Sequence, residues 1–334
     1  MLILGLETSC DETSAAVVEA GRTIRSNKIS SQIDLHAKTG GVVPEVASRK
    51  HVEQINWIIE EALTEAGITF ADLNGIAVSN RPGLLGALLV GVSAAKTLAY
   101  ALNLPLLDVH HIEAHIYANW LVDPEIEFPV VCLVVSGGHT EIFLVTGHGE
   151  YRVLGRTRDD AAGEAFDKSA RLLGFPYPGG IAIDRLAATG GNPAAIAFPR
   201  SWLGPQSLDF SFSGLKTAVL NATQNADLKD IAQADWAASI QDAIVDVLVK
   251  KTLMAAREHG VKRVLLAGGV AANSRLQARM RDACGKDGMA LTVPPPALCT
   301  DNAAMIAFAA LLRLRAGFES HVTEEIDPNL ALVV

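Results

Sequence analysis

The stretch "LILGLETSCDETSAAVV", residues 2–18, decides the architecture predicted for this chain. Two apolar runs, residues 2–6 and 15–18, flank a polar segment, a pattern typical of two strands joined by a tight loop. The same pattern returns in "VVCLVVSGGHTEIFLVTG", residues 130–147. Ser9 aligns with Ser136 and Thr13 with Thr140 at one common offset, which hints at a duplicated lobe.

Helical and strand patterns alternate along the rest of the chain. Residues 51–67 predict a helix, residues 75–78 a strand, and residues 84–102 a helix that is apolar nearly all round. Such a helix is expected either to be buried or to face a partner subunit. Alternating strands and helices in both halves predict an α/β architecture with two lobes and a cleft. The final helix is expected to begin in "CTDNAAM", with Thr300 or Asp301 as its cap.

Composition narrows the class of protein. The chain has 334 residues and a net charge of −9, which argues against binding nucleic acid through bulk electrostatics. Its four cysteines show no CxxC spacing, and a reducing, cytoplasmic setting fits them best. The N-terminus does not have the pattern of a signal peptide. The longest apolar stretch, residues 84–95, stops at Lys96 and falls short of the roughly 18 residues of a membrane span, so we expect a soluble protein.

The segment "HHIEAH", residues 110–115, predicts a metal site. On a helix, His111 and His115 lie one turn apart on the same face, where both imidazoles can share one metal. The alternative is a pair of histidines with ordinary hydrogen bonds. A catalytic metal normally takes a third protein ligand, for which Asp301 is the candidate, although it equally fits a helix cap.

The same segment does not fit a zinc protease. In the HExxH arrangement the glutamate directly follows the first histidine and reaches the metal-bound water. Glu113 lies two positions after His111, about 200° round the helix and on the opposite face. His110 is expected to support a ligand or to be structural.

Glycine-rich turns form a second signal. Gly137 and Gly138 lie in a hairpin turn, and a second glycine pair, residues 268–269, lies between a strand and a helix. Turns without side chains let a phosphate approach backbone N–H groups, although most turn glycines are only turn glycines. The turn "YPGG", residues 177–180, and Asn273 add to a predicted nucleotide cleft. Several acids are candidates for binding ribose, metal or an amine, or are ordinary surface acids: Asp11, Glu12, Glu164, Asp167 and Asp184.

Ten motifs taken together resemble the tRNA N6-adenosine threonylcarbamoyltransferase family, once described as O-sialoglycoprotein endopeptidases. The likeness runs in order from Leu2 to about Gly317. One departure is Arg81, where related sequences usually have a small residue before "PG". The motifs are "GLETSCDETSAAVV", "GGVVPEVASRKHVE", "PGLLGALLVG", "HHIEAH", "VVSGGHTE", "DDAAGEAFDKSARLLG", "YPGG", "DFSFSGLKT", "GGVAANSRL" and "CTDNAAM".

The resemblance implies a fold and a ligand set. The fold is the duplicated two-lobe fold of actin, Hsp70 and sugar kinases, with a central nucleotide cleft. We expect an N-terminal lobe of residues 1–129, joined by about 303–334, and a C-terminal lobe of residues 130–302. The resemblance implies one Fe²⁺ or Zn²⁺ per subunit, held by His111, His115 and Asp301. It also implies a pocket for threonylcarbamoyl-adenylate lined by Val134, Val135, Ser136, Gly137, Gly138, Asp167, Gly180, Asp184 and Asn273.

The reaction implied by the resemblance moves a threonylcarbamoyl group to N6 of the adenosine 3′ of the anticodon, in tRNAs reading codons that begin with A. AMP leaves. Because the carbamoyl group is already activated, no protein nucleophile is required, and positioning and charge stabilisation remain. Candidates for proton removal are Asp11, Glu12 and His139. Implied partners are tRNA, a paralogous subunit without the metal residues, and a small ATPase, with no membrane partner.

Three other function classes remain open on the sequence. A phosphotransferase or ATPase of the same fold would release ADP and would not need the two histidines. A metallopeptidase is disfavoured by the position of Glu113. A non-catalytic tRNA-binding scaffold would keep its function without His111.

Overall fold

The computed structural model describes residues 1–315, 317 and 326–332, and the chain divides into two compact units. Unit 1 comprises Met1–Glu125 with Thr300–Val334, and unit 2 comprises Ile126–Cys299. In the described part of each unit, helices surround a five-stranded sheet of parallel and antiparallel pairs. The predicted α/β class is therefore confirmed.

Unit 1 is built on the first predicted hairpin. The strands are β1 Leu2–Glu7, β2 Glu12–Glu19, β3 Thr23–Ser31, β4 Gly75–Arg81 and β5 Leu106–His110, and the helices are α1 Ile33–His36, α2 Pro44–Ala66, α3 Leu85–Leu102, α4 His111–Val122 and α11 Ala303–Arg315. Strands β1 and β2 pair antiparallel, and β1 continues the sheet by pairing parallel with β4. The sheet order is β3-β2-β1-β4-β5.

The two faces of β1 explain how unit 1 packs. Leu4 and Leu6 point to one face and join a core with residues of α2 and α3. Gly5 points to the other face, where a Cβ atom would collide with the carbonyl oxygen of Ala303. The glycine thus lets α11 lie directly on the sheet, and this close approach carries residues near 300 to the end of β1.

Unit 2 repeats this arrangement. The strands are β6 Val130–Val135, β7 Thr140–Gly147, β8 Glu150–Arg156, β9 Arg263–Ala267 and β10 Ala290–Thr292, and the helices are α5 Ala162–Leu172, α6 Gly179–Ala187, α7 Ser213–Thr223, α8 Gln233–Glu258, α9 Ser274–Lys286 and α10 Pro296–Cys299. The sheet order is β8-β7-β6-β9-β10, with β6 antiparallel to β7 and parallel to β9. Strand for strand this is the order of unit 1, β3-β2-β1-β4-β5, which supports the predicted duplication.

Helix α3 is not buried all round, which corrects one of the two expectations for it. Its small side chains, such as Ala87 and Ala95, face the core, while Leu85 and Leu89 are exposed. Its 18 residues lie within the predicted helix of residues 84–102. The apolar run of residues 84–95 was expected to be too short for a membrane span, but by length and composition alone the whole helix could cross a membrane. It nevertheless packs against α2 and β4 of unit 1, as a helix of an α/β unit does.

The start of α11 also differs from the prediction. The amide N–H of Met305 donates to Oδ1 of Asn302 at 3.1 Å, so Asn302 caps the helix and not Thr300 or Asp301. The position of the cap matters for the site, because Asp301 lies just before it and its carboxylate faces the histidines of α4.

Candidate metal and nucleotide sites

Two histidines of α4 present the same ring nitrogen to one carboxylate. The helix begins at His111, directly after β5, so His111 and His115 lie one turn apart and both are buried. Nε2 of His115 is 3.1 Å from Oδ1 of Asp301, and Nε2 of His111 is 3.5 Å from the same oxygen. The ligand atoms of all three residues lie within 4.8 Å of one another. Two imidazole nitrogens and a carboxylate oxygen are a donor set that suits zinc or iron.

The electrostatics of the two rings differ. Burial by itself lowers the pKa of His111, but the carboxylates of Glu7 and Asp301 outweigh it and raise that pKa to about 9. Burial lowers the pKa of His115, and the hydrogen bond with Asp301 only partly opposes this effect. A divalent cation between the rings would favour the neutral imidazole of both residues.

The neighbouring residues of "HHIEAH" have structural partners. Nδ1 of His110 accepts from the amide of Ile112 at 3.2 Å, and Nε2 donates to the carbonyl of Leu330 at 3.0 Å. His110 therefore caps α4 and holds the chain near its C-terminus. Glu113 accepts from Arg313 of α11 at 3.1 Å.

Two of the candidate proton acceptors lie where the loop after β1 meets β2: Asp11 ends the loop and Glu12 begins the strand. Burial raises the pKa of Glu12 well above its usual range, and the nearby carboxylates of Asp11 and Asp301 raise it further. Ser31 donates to Glu12 Oε1 at 3.1 Å. His51 of α2 holds this loop, because its Nε2 donates to the carbonyl of Cys10 at 3.0 Å. Asp11 and Glu12 thus belong to the same unit as the three candidate metal ligands, and His139 belongs to unit 2.

In unit 2, the turn after β6 meets the N-terminus of a helix. The amide of Gly163 in α5 donates to the carbonyl of Ser136 at 3.1 Å. A Cβ atom on Gly163 would lie 2.6 Å from that carbonyl oxygen, so only glycine permits this approach. Gly137 and Gly138 are different, because a Cβ atom on either would meet no atom of the described residues within 4 Å. The turn is exposed at both glycines, beside a helix N-terminus that favours anions.

Four further residues predicted for the nucleotide pocket lie at two helix N-termini. The side chain of Asp167, in α5, accepts from the amide of Gly179 at 2.7 Å; Gly179 begins α6 and is followed by Gly180. The side chain of Asp184, in α6, accepts from the amide and the hydroxyl of Ser274, at the start of α9, at 3.1 and 2.8 Å. Asn273 caps that same helix, α9, by accepting from Leu276 at 2.9 Å. These residues therefore form one connected group in unit 2.

A further turn joins this group to the end of β6. A Cβ atom on Gly268 would collide with the carbonyl oxygen of Val135, so the turn after β9 packs directly on β6. Because Val134 pairs with Ala267 in parallel strands, the turns after both strands lie at the carboxyl ends of neighbouring strands. Ligands of open α/β sheets bind outside these carboxyl ends.

Sequence reasoning missed some residues of both sites. Glu7 was not among the residues singled out from the sequence, although a buried acid at a strand end is a signal of function. For Gly163, a single sequence gives no sign that packing requires glycine at that position.

Two residues named from the sequence have ion-pair partners. Glu164 forms an ion pair with Lys168 at 2.8 Å, as a surface acid does. Arg81 pairs with Asp108 at 2.7 Å, next to His110 at the end of β5.

Comparison with protein families gives one match that covers most of the chain. The family model described as tRNA N6-adenosine threonylcarbamoyltransferase matches residues 23–308. A protein of that name from Halalkalibacterium halodurans is 58% identical over 333 residues, which cover 99% of this chain and 96% of the relative. One from Bacillus subtilis is 54% identical over 335 residues, covering 99% and 96%.

Solved structures share the fold at much lower identity. HypF from T. kodakarensis has a TM-score of 0.61 and 17% identity, over 96% of this chain and 48% of HypF. Component A of the (R)-2-hydroxyglutaryl-CoA dehydratase of Acidaminococcus fermentans has a TM-score of 0.57 and 14% identity, over 94% and 99%. The likeness confirms the two-lobe α/β fold of the actin, Hsp70 and sugar-kinase type.

Proposed function

Because this chain belongs to the tRNA N6-adenosine threonylcarbamoyltransferase family and is a tRNA-modifying transferase, we propose its full reaction. It transfers the threonylcarbamoyl group from threonylcarbamoyl-adenylate to N6 of the adenosine 3′ of the anticodon, in tRNAs reading codons that begin with A. AMP is released. The observation that carries this proposal is the convergence of His111 and His115 on the carboxylate of Asp301.

His111, His115 and Asp301 would hold one Fe²⁺ or Zn²⁺ per subunit. The donor set fits such an ion, and both histidines are buried and aim the same nitrogen at one carboxylate oxygen. A divalent ion held there would supply a Lewis acid and a fixed positive charge.

The adenylate would bind in unit 2. The proposed lining is residues 134–138 with Asp167, Gly180, Asp184 and Asn273. Support comes from Gly137 and Gly138. Packing within the described residues does not require glycine at either position, because a Cβ atom there would have open space. Neither glycine has the positive φ that would favour glycine on conformational grounds. Their exposed backbone and the N-terminus of α5 together suit the phosphate of the adenylate.

The chemistry requires positioning and a proton acceptor. N6 forms a bond to the carbamoyl carbon, the bond from that carbon to the phosphate oxygen breaks, and AMP leaves with the electron pair. The N6 proton must pass to a base, and Asp11, Glu12 and His139 are the proposed candidates. The raised pKa of Glu12 supports it among the three, since a carboxylate with a raised pKa is a stronger base when it is ionised.

The tRNA and protein partners follow from the family. The target base lies in a loop, so turning it outward costs little unpairing. A net charge of −9 leaves much of the tRNA contact to local basic groups or to partner proteins. We propose a paralogous subunit without the metal residues, a small ATPase, and a cytoplasmic setting.

The proposed docking site for the paralogous subunit is a groove between α2 and α3. Its volume is about 650 Å³, and its lining includes Val52, Ile59, Leu89 and Leu98. Leu89 and Val52 expose large apolar surface there, as expected for a surface that a partner covers.

We also propose that the two units are the predicted lobes, residues 1–129 with about 303–334 and residues 130–302.

Reconstitution tests this function. The chain would be incubated with threonylcarbamoyl-adenylate, the partner proteins and unmodified tRNA, and the modified nucleoside would be detected by mass. The expected result is stoichiometric AMP together with the modified adenosine. Release of ADP from ATP without nucleoside modification would instead support the phosphotransferase reading, and cleavage of a glycoprotein would support the peptidase reading.

A further inference from the structure

His111 is enclosed by carboxylates on both ring nitrogens, whereas His115 is not. Nδ1 of His111 is 2.9 Å from Oε2 of Glu7 and 3.2 Å from Oγ of Ser9, and its Nε2 faces Asp301. Nδ1 of His115 is buried and has no hydrogen-bond partner among the described residues. The two candidate metal ligands therefore differ in what fixes their tautomer.

Glu7 is itself tightly held. It is the last residue of β1 and is fully buried, with no exposed surface. Its other oxygen, Oε1, accepts from the backbone amide of Ser9 at 2.5 Å. A buried carboxylate is costly unless its oxygens are satisfied, and here one oxygen is satisfied by the amide and the other by the imidazole.

This pairing dictates where the His111 proton resides. A carboxylate oxygen accepts, so in the pair with Oε2 of Glu7 the Nδ1 of His111 donates and carries the proton, and the Ser9 hydroxyl, which can also accept, permits this arrangement. In the neutral ring Nε2 then has a lone pair, and that nitrogen faces Asp301. Building on the metal site proposed above, we infer that Glu7 is a positioning residue that holds His111 in the tautomer able to bind a divalent metal through Nε2.

Substitution of Glu7 by glutamine tests this directly, because the backbone decides how the amide would lie. The Ser9 N–H requires an acceptor and would select the amide oxygen of the new side chain. The NH₂ group of the glutamine side chain would then face Nδ1 of His111 and donate a hydrogen bond to it. The ring would be driven to carry its proton on Nε2, which removes the lone pair from the metal side.

The measured quantity is the Kd for Zn²⁺, obtained by competition with a chromophoric chelator on the purified full chain. Glu7→Gln is expected to weaken binding about 10- to 100-fold, and Glu7→Asp, which keeps the charge, to recover part of that loss. Glu113→Gln is the matched control, since it removes a buried carboxylate from the opposite face of α4 and should leave the Kd unchanged. Equal Kd values for wild type and a folded Glu7→Gln would overturn the inference.

Histidine ¹⁵N spectra provide a readout that does not depend on a variant folding. In the Zn²⁺-loaded wild type, His111 is expected to carry its proton on Nδ1, and in metal-free Glu7→Gln on Nε2. A Zn²⁺-loaded wild type with the His111 proton absent from Nδ1 would refute the role of Glu7 while leaving the metal site intact. Failure of the wild type to bind Zn²⁺ at all would instead refute the metal site itself.

Discussion

The carboxylate of Glu113 accepts a hydrogen bond from Nη1 of Arg313 at 3.1 Å, which ties α4 to α11. The Glu113 side chain is 4% exposed and that of Arg313 is 23% exposed, so solvent screens the pair little. Glu113→Gln is therefore expected to lower the free energy of unfolding by about 1–3 kcal/mol. Urea unfolding measures this loss, and unchanged Zn²⁺ binding serves as the control. Wild-type stability combined with lost metal would contradict the structural role.

Removal of a proposed metal ligand is expected to abolish modification of tRNA. His115→Ala leaves two donors of the three, and should weaken Zn²⁺ binding by more than the roughly 10- to 100-fold typical of an outer partner. Metal analysis and the mass of the modified nucleoside in reconstitution are the two measurements. His259→Ala, a histidine of unit 2 outside the site, is the control. Full modification by a metal-free His115→Ala protein would exclude the proposed metal chemistry.

Gly137→Ala separates folding from ligand binding. A Cβ atom at this position meets no described atom within 4 Å, so the thermal midpoint should stay close to that of the wild type. If the turn binds phosphate, the added methyl group would obstruct it, and affinity for AMP measured by calorimetry should fall at least about tenfold, or roughly 1.4 kcal/mol.

Two other glycines calibrate that result. Gly163→Ala should lower stability, because its Cβ would collide with the Ser136 carbonyl. Gly285→Ala, in the exposed part of α9, should raise stability by about 0.5–1 kcal/mol without affecting AMP. An unchanged affinity for AMP in Gly137→Ala would show that this turn does not bind the phosphate.

His51 makes stability depend on pH. Burial lowers its pKa from the usual 6.5, so the folded state keeps it neutral where the unfolded state protonates it. As pH falls through about 6.5 the unfolded chain takes up more protons, and the stability that this group contributes at higher pH is lost. Urea unfolding at pH 7.5 and 5.5 should show a smaller pH-dependent loss for His51→Gln than for wild type. Equal losses would show that His51 does not titrate in this way.

The groove between α2 and α3 predicts a partner-binding defect. Leu89 is 48% exposed, so Leu89→Glu should leave the folded chain stable and prevent co-purification with the paralogous subunit. Leu220→Glu, at 40% exposed in α7 of unit 2, is the matched control and should retain the partner. If the Leu89→Glu variant bound the paralogous subunit with the wild-type Kd, the groove between α2 and α3 would not be the docking surface.

Local patterns carried much of the fold and part of the site. The two hairpins follow from apolar runs around polar turns, and both are present as β1–β2 and β6–β7. His111 and His115 were placed on one helix face by their spacing alone. Such features depend on neighbours a few residues apart, so periodicity reveals them. The sequence left open whether α3 is buried or faces a partner subunit, because its apolar residues alone do not show which side chains pack inside unit 1.

What the sequence by itself determined is therefore the identity of the elements and the pairing of two histidines on α4. Only the tertiary structure decided that Asp301, 186 positions from His115, meets the second histidine, and that Glu7 closes the far side of the first. The reason is packing: Gly5 allows α11 to approach β1, and this contact brings the residues before α11 to the end of that strand. Asn302 caps α11 while the neighbouring Asp301 faces the histidines, and no local pattern encodes which of these adjacent residues takes which role.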